Sequence, residues 1–120
     1  MKTFKNPISG ETIQLAKIDF PEKMYYPNAV EACKQLGEGW RLPSKYEWEI
    51  IFKEFVENTE TNFEKQAYWI NGISYEDDTK AYAYLCGNLN SGLTIGNRRV
   101  IKMSIIDECK VRAVKVISSN

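Results

Sequence analysis

Twelve residues constrain this chain most: Gly37-Glu38-Gly39-Trp40-Arg41-Leu42-Pro43-Ser44-Lys45-Tyr46-Glu47-Trp48. Gly37 supplies the left-handed residue that ends a preceding helix. Pro43 pushes Leu42 into an extended conformation, so Trp40-Arg41-Leu42-Pro43 is not helical. Ser44 and Glu47 then form a capping box. The serine oxygen accepts the Glu47 amide, and the Glu47 carboxylate returns to the Ser44 amide. Two helices must therefore meet at a short extended link.

The first helix has Asn28 as its expected N-cap, with Glu31 at the N3 position. Ala29, Ala32, Cys33 and Leu36 fall on one face, with Glu31, Lys34 and Gln35 opposite. So many small residues imply a bulky element packed closely, and Cys33 reads as a small core residue. The second helix runs to about Val56 with Trp48, Ile51, Phe52 and Phe55 as its core stripe. Glu49 and Lys53 form a favourable i,i+4 pair. Tyr46 and Ile50 lie together on the polar side, either covered by a loop or part of a contact surface.

Residues 1–12, polar with Pro7 and Gly10, read as an N-terminal arm or turn. Ile13 to Ile18 begins a short strand, and Asp19 to Lys23 is a loop broken by Pro21. Residues 58–66 are loop-like, and beyond them the period changes from 3.6 to 2. Strands are expected over 67–74, 80–86, 98–106 and 109–117, with turns at 75–79 and 107–108. Residues 87–97 are rich in glycine and asparagine. The plan is one strand, two helices and an antiparallel meander: a single α+β domain over 1–120.

Composition excludes several functions. Aromatics at 12% and hydrophobics at 43% of 120 residues suit a packed core rather than a disordered chain. Sixteen basic groups balance sixteen acidic ones, so net charge selects no nucleic acid and no membrane. Residues 45–80 carry 4 basic and 9 acidic groups and 81–120 carry 6 and 2, regions expected to pair across one surface. The absence of histidine removes Ser-His-Asp and Cys-His schemes, imidazole bases and almost every catalytic zinc arrangement. The expectation is no enzyme and no cofactor. Cys33, Cys86 and Cys109 contain no CxxC spacing and fit either reduced thiols or one bridge plus a spare. No segment approaches the roughly 18 apolar residues of a membrane span. No apolar run follows Met1-Lys2-Thr3-Phe4, so the chain as written is expected in the cytoplasm. A chain trimmed of its leader, working outside the cell or at its surface, would look the same.

Four groups of residues carry candidate chemistry. Arg41, with Arg112 in the closing strand, can clamp a carboxylate or sugar acid. Alternatively Arg41 braces the helix junction through an internal carboxylate or carbonyls, with Trp40 in the core. Glu76, Asp77 and Asp78 are a weak calcium candidate, since calcium takes several oxygen ligands, but adjacent aspartates in a turn are usually solvated. Asn88, Asn90, Ser91 and Asn97 offer donors and acceptors suited to sugar hydroxyls or peptide backbone. Arg98 and Arg99 add charge there, and Tyr82 or Tyr84 a stacking face. The same segment also reads as a hairpin loop made of turn formers. Cys86 and Cys109, at the ends of neighbouring strands, can sit close.

The run from Met24 to Glu47, through Ala29, Ala32-Cys33, Leu36-Gly37 and Gly39-Trp40-Arg41-Leu42-Pro43, resembles a bacterial domain family of unknown function with a C-type lectin-like fold. The same domain closes certain collagen-like bacterial adhesins. Tyr68-Trp69 stands where the family has Tyr-Trp-Ser-Ser, Ala81-Tyr82 and Gly87-Asn88 in its next strand and turn, and Val111-Arg112-Ala113-Val114-Lys115 at its closing Val-Arg-Ala-Val-Arg. The resemblance spans roughly residues 13–117, with Ile70-Asn71, Lys115 and Cys86 as departures. Formylglycine-generating sulfatase modifiers carry a similar Arg-Leu-Pro segment. The resemblance implies two helices packed on a twisted antiparallel sheet, neighbouring termini and ligands presented on the long loops of the second half. It also makes Trp40, Arg41, Leu42, Pro43, Glu47, Trp69 and Arg112 a structural signature.

Three functions follow as expectations. The first is a non-catalytic domain recognising a protein or glycan through the loops of residues 70–99. The second is an interaction or assembly subunit, of bacterial or phage origin, using the Tyr46/Ile50 face. The third is a degenerate relative of the cysteine-dependent sulfatase modifiers, built around Cys86 and Cys109.

Overall fold

Ile13 and Leu15 are buried while Thr12 and Gln14 are half-buried, the period-two pattern that makes Thr12–Leu15 a strand, β2. The computed structural model describes residues 2–56, 62–87 and 99–118. Ahead of β2, Lys2–Lys5 forms a strand of its own, β1, paired antiparallel with Lys2 opposite Leu15 and Lys5 opposite Thr12. The first residues are therefore not a bare arm. The expected turn lies between these strands, where the Asn6 amide donates to Glu11 O at 2.9 Å. Only Phe4 of β1 turns inward, so polarity alone concealed the strand.

Helix α1, Tyr26–Gln35, starts two residues before the expected cap. Tyr25 is its N-cap and makes no side-chain capping bond, and Pro27 occupies the first turn, where its missing N–H and fixed φ suit helix initiation. Tyr26, Ala29 and Cys33 form the buried stripe, whereas Leu36 beyond the last turn is exposed. Gly37, at φ +136°, turns the chain away as expected. Trp40–Arg41 is a two-residue strand, β3, and α2 spans Lys45–Ile51. The capping box is present in full, with Ser44 Oγ accepting the Glu47 amide at 3.2 Å and the Ser44 amide donating to Glu47 Oε1 at 2.8 Å. Past Ile51 the chain widens into a π-helical turn, Phe52–Val56, which carries the helical run to its expected end.

The period-two half of the chain makes three strands of a meander: β4 (Ala67–Ile73), β5 (Lys80–Leu85) and β6 (Val100–Ser104), in the order β4-β5-β6. A fourth meander strand over 109–117 does not form. Instead Val114–Ser118 is β7, which leaves for the first sheet and gives the order β1-β2-β7-β3. Residues 109–113 cross between the sheets. Cys109 bridges Met24, Lys110 bridges Tyr68, and the carbonyls of Val111 and Ala113 accept the amides of Phe20 and Ala16 at 3.0 Å each. The result is an α+β domain of two helices and two antiparallel sheets, with both terminal strands flanking β2 in one of them.

The second sheet is covered on both faces. Trp69, Ala81 and Ala83 join Tyr26, Ala29, Cys33 and Leu42 in the core beneath α1. Tyr68, Tyr84 and Cys86 join Ile13, Leu15, Trp48 and Ile51 in the core beneath α2. The tryptophans couple the two, since Trp48 Nε1 donates to Trp69 O at 3.2 Å and Trp69 Nε1 to Met24 O at 2.7 Å. Trp40, expected in the core, is only half-buried at its edge because β3 lies at the rim of the first sheet. Trp69→Ala is expected to lower unfolding free energy by about 3–5 kcal/mol. Trp40→Ala should cost clearly less, and urea denaturation of the two variants measures the difference.

Candidate functional site

The junction of the helices is braced from within. Arg41 reaches from β3 over the first turn of α2, its Nη1 lying 2.6 Å from Glu47 Oε1 and its Nη2 2.7 Å from Oε2, while Nη1 also donates to Leu42 O at 3.1 Å. Leu42 and Pro43 are buried beneath this pair. Burial would raise the Glu47 pKa, but the Arg41 hydrogen bonds, the Ser44 amide and the Arg41 charge outweigh it and hold the carboxyl below its ordinary value.

Arg112 is engaged in the same way at the crossing segment. Its Nε donates to Asp19 Oδ1 at 2.7 Å, Nη1 to Ala16 O at 3.1 Å and Nη2 to Asn62 Oδ1 at 2.9 Å. Its guanidinium also lies 4.0 Å from the centroid of Phe63. Asp19 Oδ2 accepts the Tyr68 hydroxyl at 2.6 Å, and Lys110 Nζ stands 3.6 Å from the same oxygen and 2.9 Å from Glu64 Oε2. Burial first, then the bond to Asp19, push the Tyr68 hydroxyl above the usual phenol range, so it remains a donor. With both guanidiniums committed internally, Arg41 and Arg112 do not form a clamp for a ligand.

The loop candidates are divided. Asn88, Asn90, Ser91, Asn97 and Arg98 lie outside the described residues. Tyr84, expected as a stacking face, is buried and stacks on Trp48 at 5.7 Å between centroids. Arg99 Nη1 donates to Leu85 O at 3.1 Å and Gly87 O at 2.8 Å, and its guanidinium lies 4.0 Å from the centroid of Phe52. Tyr82, like Arg99, is half-exposed, and Lys102 Nζ lies 5.9 Å from its ring. Asp77 caps its own turn, Oδ1 accepting the Thr79 amide at 2.9 Å and the Thr79 hydroxyl. Its exposed neighbour Asp78 adds no converging ligands, and among the described residues no three acidic or thiol groups gather to hold a metal.

The three thiols are free and buried, Cys33 and Cys109 in the core beneath α1 and Cys86 in the core beneath α2. Burial pushes Cys33 up to about 11 and Cys86 and Cys109 up to about 12. The expected closeness of Cys86 and Cys109 fails because Cys109 lies in the core beneath α1 and Cys86 in the core beneath α2, on opposite faces of the second sheet.

Among the described residues an apolar groove of about 570 Å³ opens between α2 and the turn after β1, and a smaller one of about 230 Å³ opens beside Ile18, Phe20 and Leu36. Pro7, Ile8, Tyr46, Ile50 and Phe52 supply the apolar lining of the larger. Ile8 is 75% exposed and Tyr46 59%. Tyr46 and Ile50 were legible as an outward pair. The contribution of Ile8 had no local signal, because β1 and its turn create it.

Among the described residues no helix is long and apolar enough to cross a membrane. No protein-family model matches this chain, and no curated protein matches it.

Two outcomes check this site. Glu47 stabilises the fold fully above the ordinary glutamate pKa of about 4.3, and the contribution disappears as pH falls through its depressed folded value. The gap in stability between wild type and Glu47→Gln should therefore narrow on acidification, measured by urea melts across that range. At neutral pH Glu47→Ala should cost about 2–3 kcal/mol, below a fully buried pair because Arg41 remains 33% exposed, against about 1 kcal/mol for Ser44→Ala. Native protein should also resist iodoacetamide at all three thiols and take up three equivalents once unfolded, read by mass spectrometry. Ready labelling of Cys86 in the folded protein would revive the cysteine-enzyme reading.

Proposed function

We propose that this chain is a non-catalytic binding domain with a C-type lectin-like fold, and that its ligand is a protein engaged on the outer face of α2. One observation carries the reading. The arginines with a described environment are turned inward to Glu47, Asp19, Asn62 and backbone carbonyls, while the groove of Ile8, Tyr46 and Ile50 stands open to solvent. A lining of aliphatic and aromatic side chains suits the side chains of another protein better than the hydroxyls of a sugar. The lectin-like assignment is supported by the Gly-Trp-Arg-Leu-Pro junction between the helices and by the placing of β1 and β7 on either side of β2. The buried, protonated thiols and the absence of histidine support a domain without catalysis.

A second reading, glycan recognition through the loops of residues 70–99, is favoured by Tyr82, which keeps an accessible ring on β5 beside Lys102. A thermal-shift screen against glycans and divalent cations, with and without reductant, separates the two. No shift is expected. A sugar-dependent rise in melting temperature that disappears in Asn88→Ala or Arg98→Ala would overturn the protein-binding reading in favour of the loops.

A further inference from the structure

We propose that Asn71-Gly72, in the bulge of β4, is a site of covalent modification by water, and that the Tyr26 hydroxyl restrains it. Asn71 is the only asparagine of this chain followed by glycine. Asparagine is among the thermolabile residues, and a following glycine brings no Cβ to hinder approach to its own nitrogen. In the first step the Gly72 nitrogen loses its proton and attacks Asn71 Cγ. The Cγ–Nδ2 bond breaks, ammonia leaves with the proton, and a five-membered succinimide closes. Water then adds at either ring carbonyl and reopens it, as aspartate or as an isoaspartyl link routed through the side-chain methylene. One water is taken up and one ammonia released, with no change of oxidation state.

The fold presents one reacting group and masks the other. Between the Trp69–Ala83 and Ile73–Ala81 pairs β4 holds more residues than β5, so the chain bulges. Asn71 is exposed on that bulge. Gly72 takes φ +127°, and a Cβ there would meet nothing within 4 Å, so the space beside it is open. Its N–H, however, donates to the Tyr26 hydroxyl at 2.8 Å. A nitrogen held in that bond must release it before it can lose its proton, as in amide exchange. Tyr26 is itself buried and set edge-on against Trp69, 5.4 Å away between centroids, so the acceptor is fixed in place.

The modification also bears on the fold. The Asn71 N–H donates to Pro43 O at 2.8 Å, so adjacent nitrogens tether the bulge to the helix junction and to α1. An isoaspartyl link puts one more carbon between those nitrogens, and both bonds cannot then keep their geometry.

Holding the full chain at physiological temperature in mildly alkaline buffer, with peptide mass spectrometry to follow Asn71, tests the inference. Conversion should be slow in the folded wild type and fast in the guanidinium-unfolded chain. Tyr26→Phe, which keeps the ring and removes the hydroxyl, should convert about fivefold faster than wild type, the ratio that one hydrogen bond is worth. Cys33, buried in the same core as Tyr26, should stay closed to iodoacetamide in that variant. The isoaspartyl form, once separated, should melt below the unmodified protein. No conversion at Asn71 in the unfolded chain would overturn the site. A Tyr26→Phe rate equal to wild type, or a faster one matched by faster Cys33 labelling, would overturn the hydroxyl as its restraint. An unchanged melting temperature in the isoaspartyl form would overturn the loss of a tether.

Discussion

The buried guanidinium of Arg112 is the constraint on which the rest of the structure depends. A cation taken out of water is tolerated only when a complete set of acceptors surrounds it. Here the acceptors come from separate parts of the chain: Asp19 and Ala16 after β2, and Asn62 before β4. Asp19 in turn holds the Tyr68 hydroxyl, so β4 is tied to the same centre. The crossing segment therefore finds its full set of partners only when both sheets and the loop at 62–64 have docked. An apolar core of equal volume would be as stable, but would not penalise a misplaced loop with an unpaired buried charge.

What the sequence disclosed was local. The Ser44–Glu47 box, the break at Pro43 and the stop at Gly37 each depend on residues within a few positions of one another, and each was legible. The division into two sheets was not. Period-two alternation identifies a strand but says nothing about its neighbour, so residues 109–117 read as one meander strand when their first half is a crossing and their second half is β7. The start of α1 was misplaced for a comparable reason. Asn28 is the better capping residue, but Tyr26 must reach Trp69, 5.4 Å away between ring centroids, and its hydroxyl accepts the Gly72 amide. Packing on the β4 bulge therefore sets the boundary ahead of Asn28.

Tyr84 fails as a stacking face because alternation alone reads as inside against outside. A sheet with one wet face exposes every second residue, and Tyr84 would then be available. This sheet lies between two cores, so Ala83 and Tyr84 are buried on opposite faces. Arg99 read as surface charge because its acceptors, the Leu85 and Gly87 carbonyls, have no side-chain signature in sequence. Asp19 was passed over as a loop residue for the same physical reason, since its partner Arg112 lies at the far end of the chain.

Helix α2 meets different demands on its two sides. Its inner side carries Glu47, Trp48 and Ile51, all buried, and these bind it to the junction, to β4 and to the core. Ile50 is half-buried and packs against the edge of the same core, whereas Tyr46 is 59% exposed. Tyr46 stands at a position where lysine or glutamate would serve the helix as well and solubility better. Ile8 is held opposite it by a turn whose own geometry is set by the Asn6 and Ser9 side chains, not by the isoleucine. Ile8 and Tyr46, exposed apolar side chains brought to one face from two distant segments, are what support the protein-binding reading proposed above.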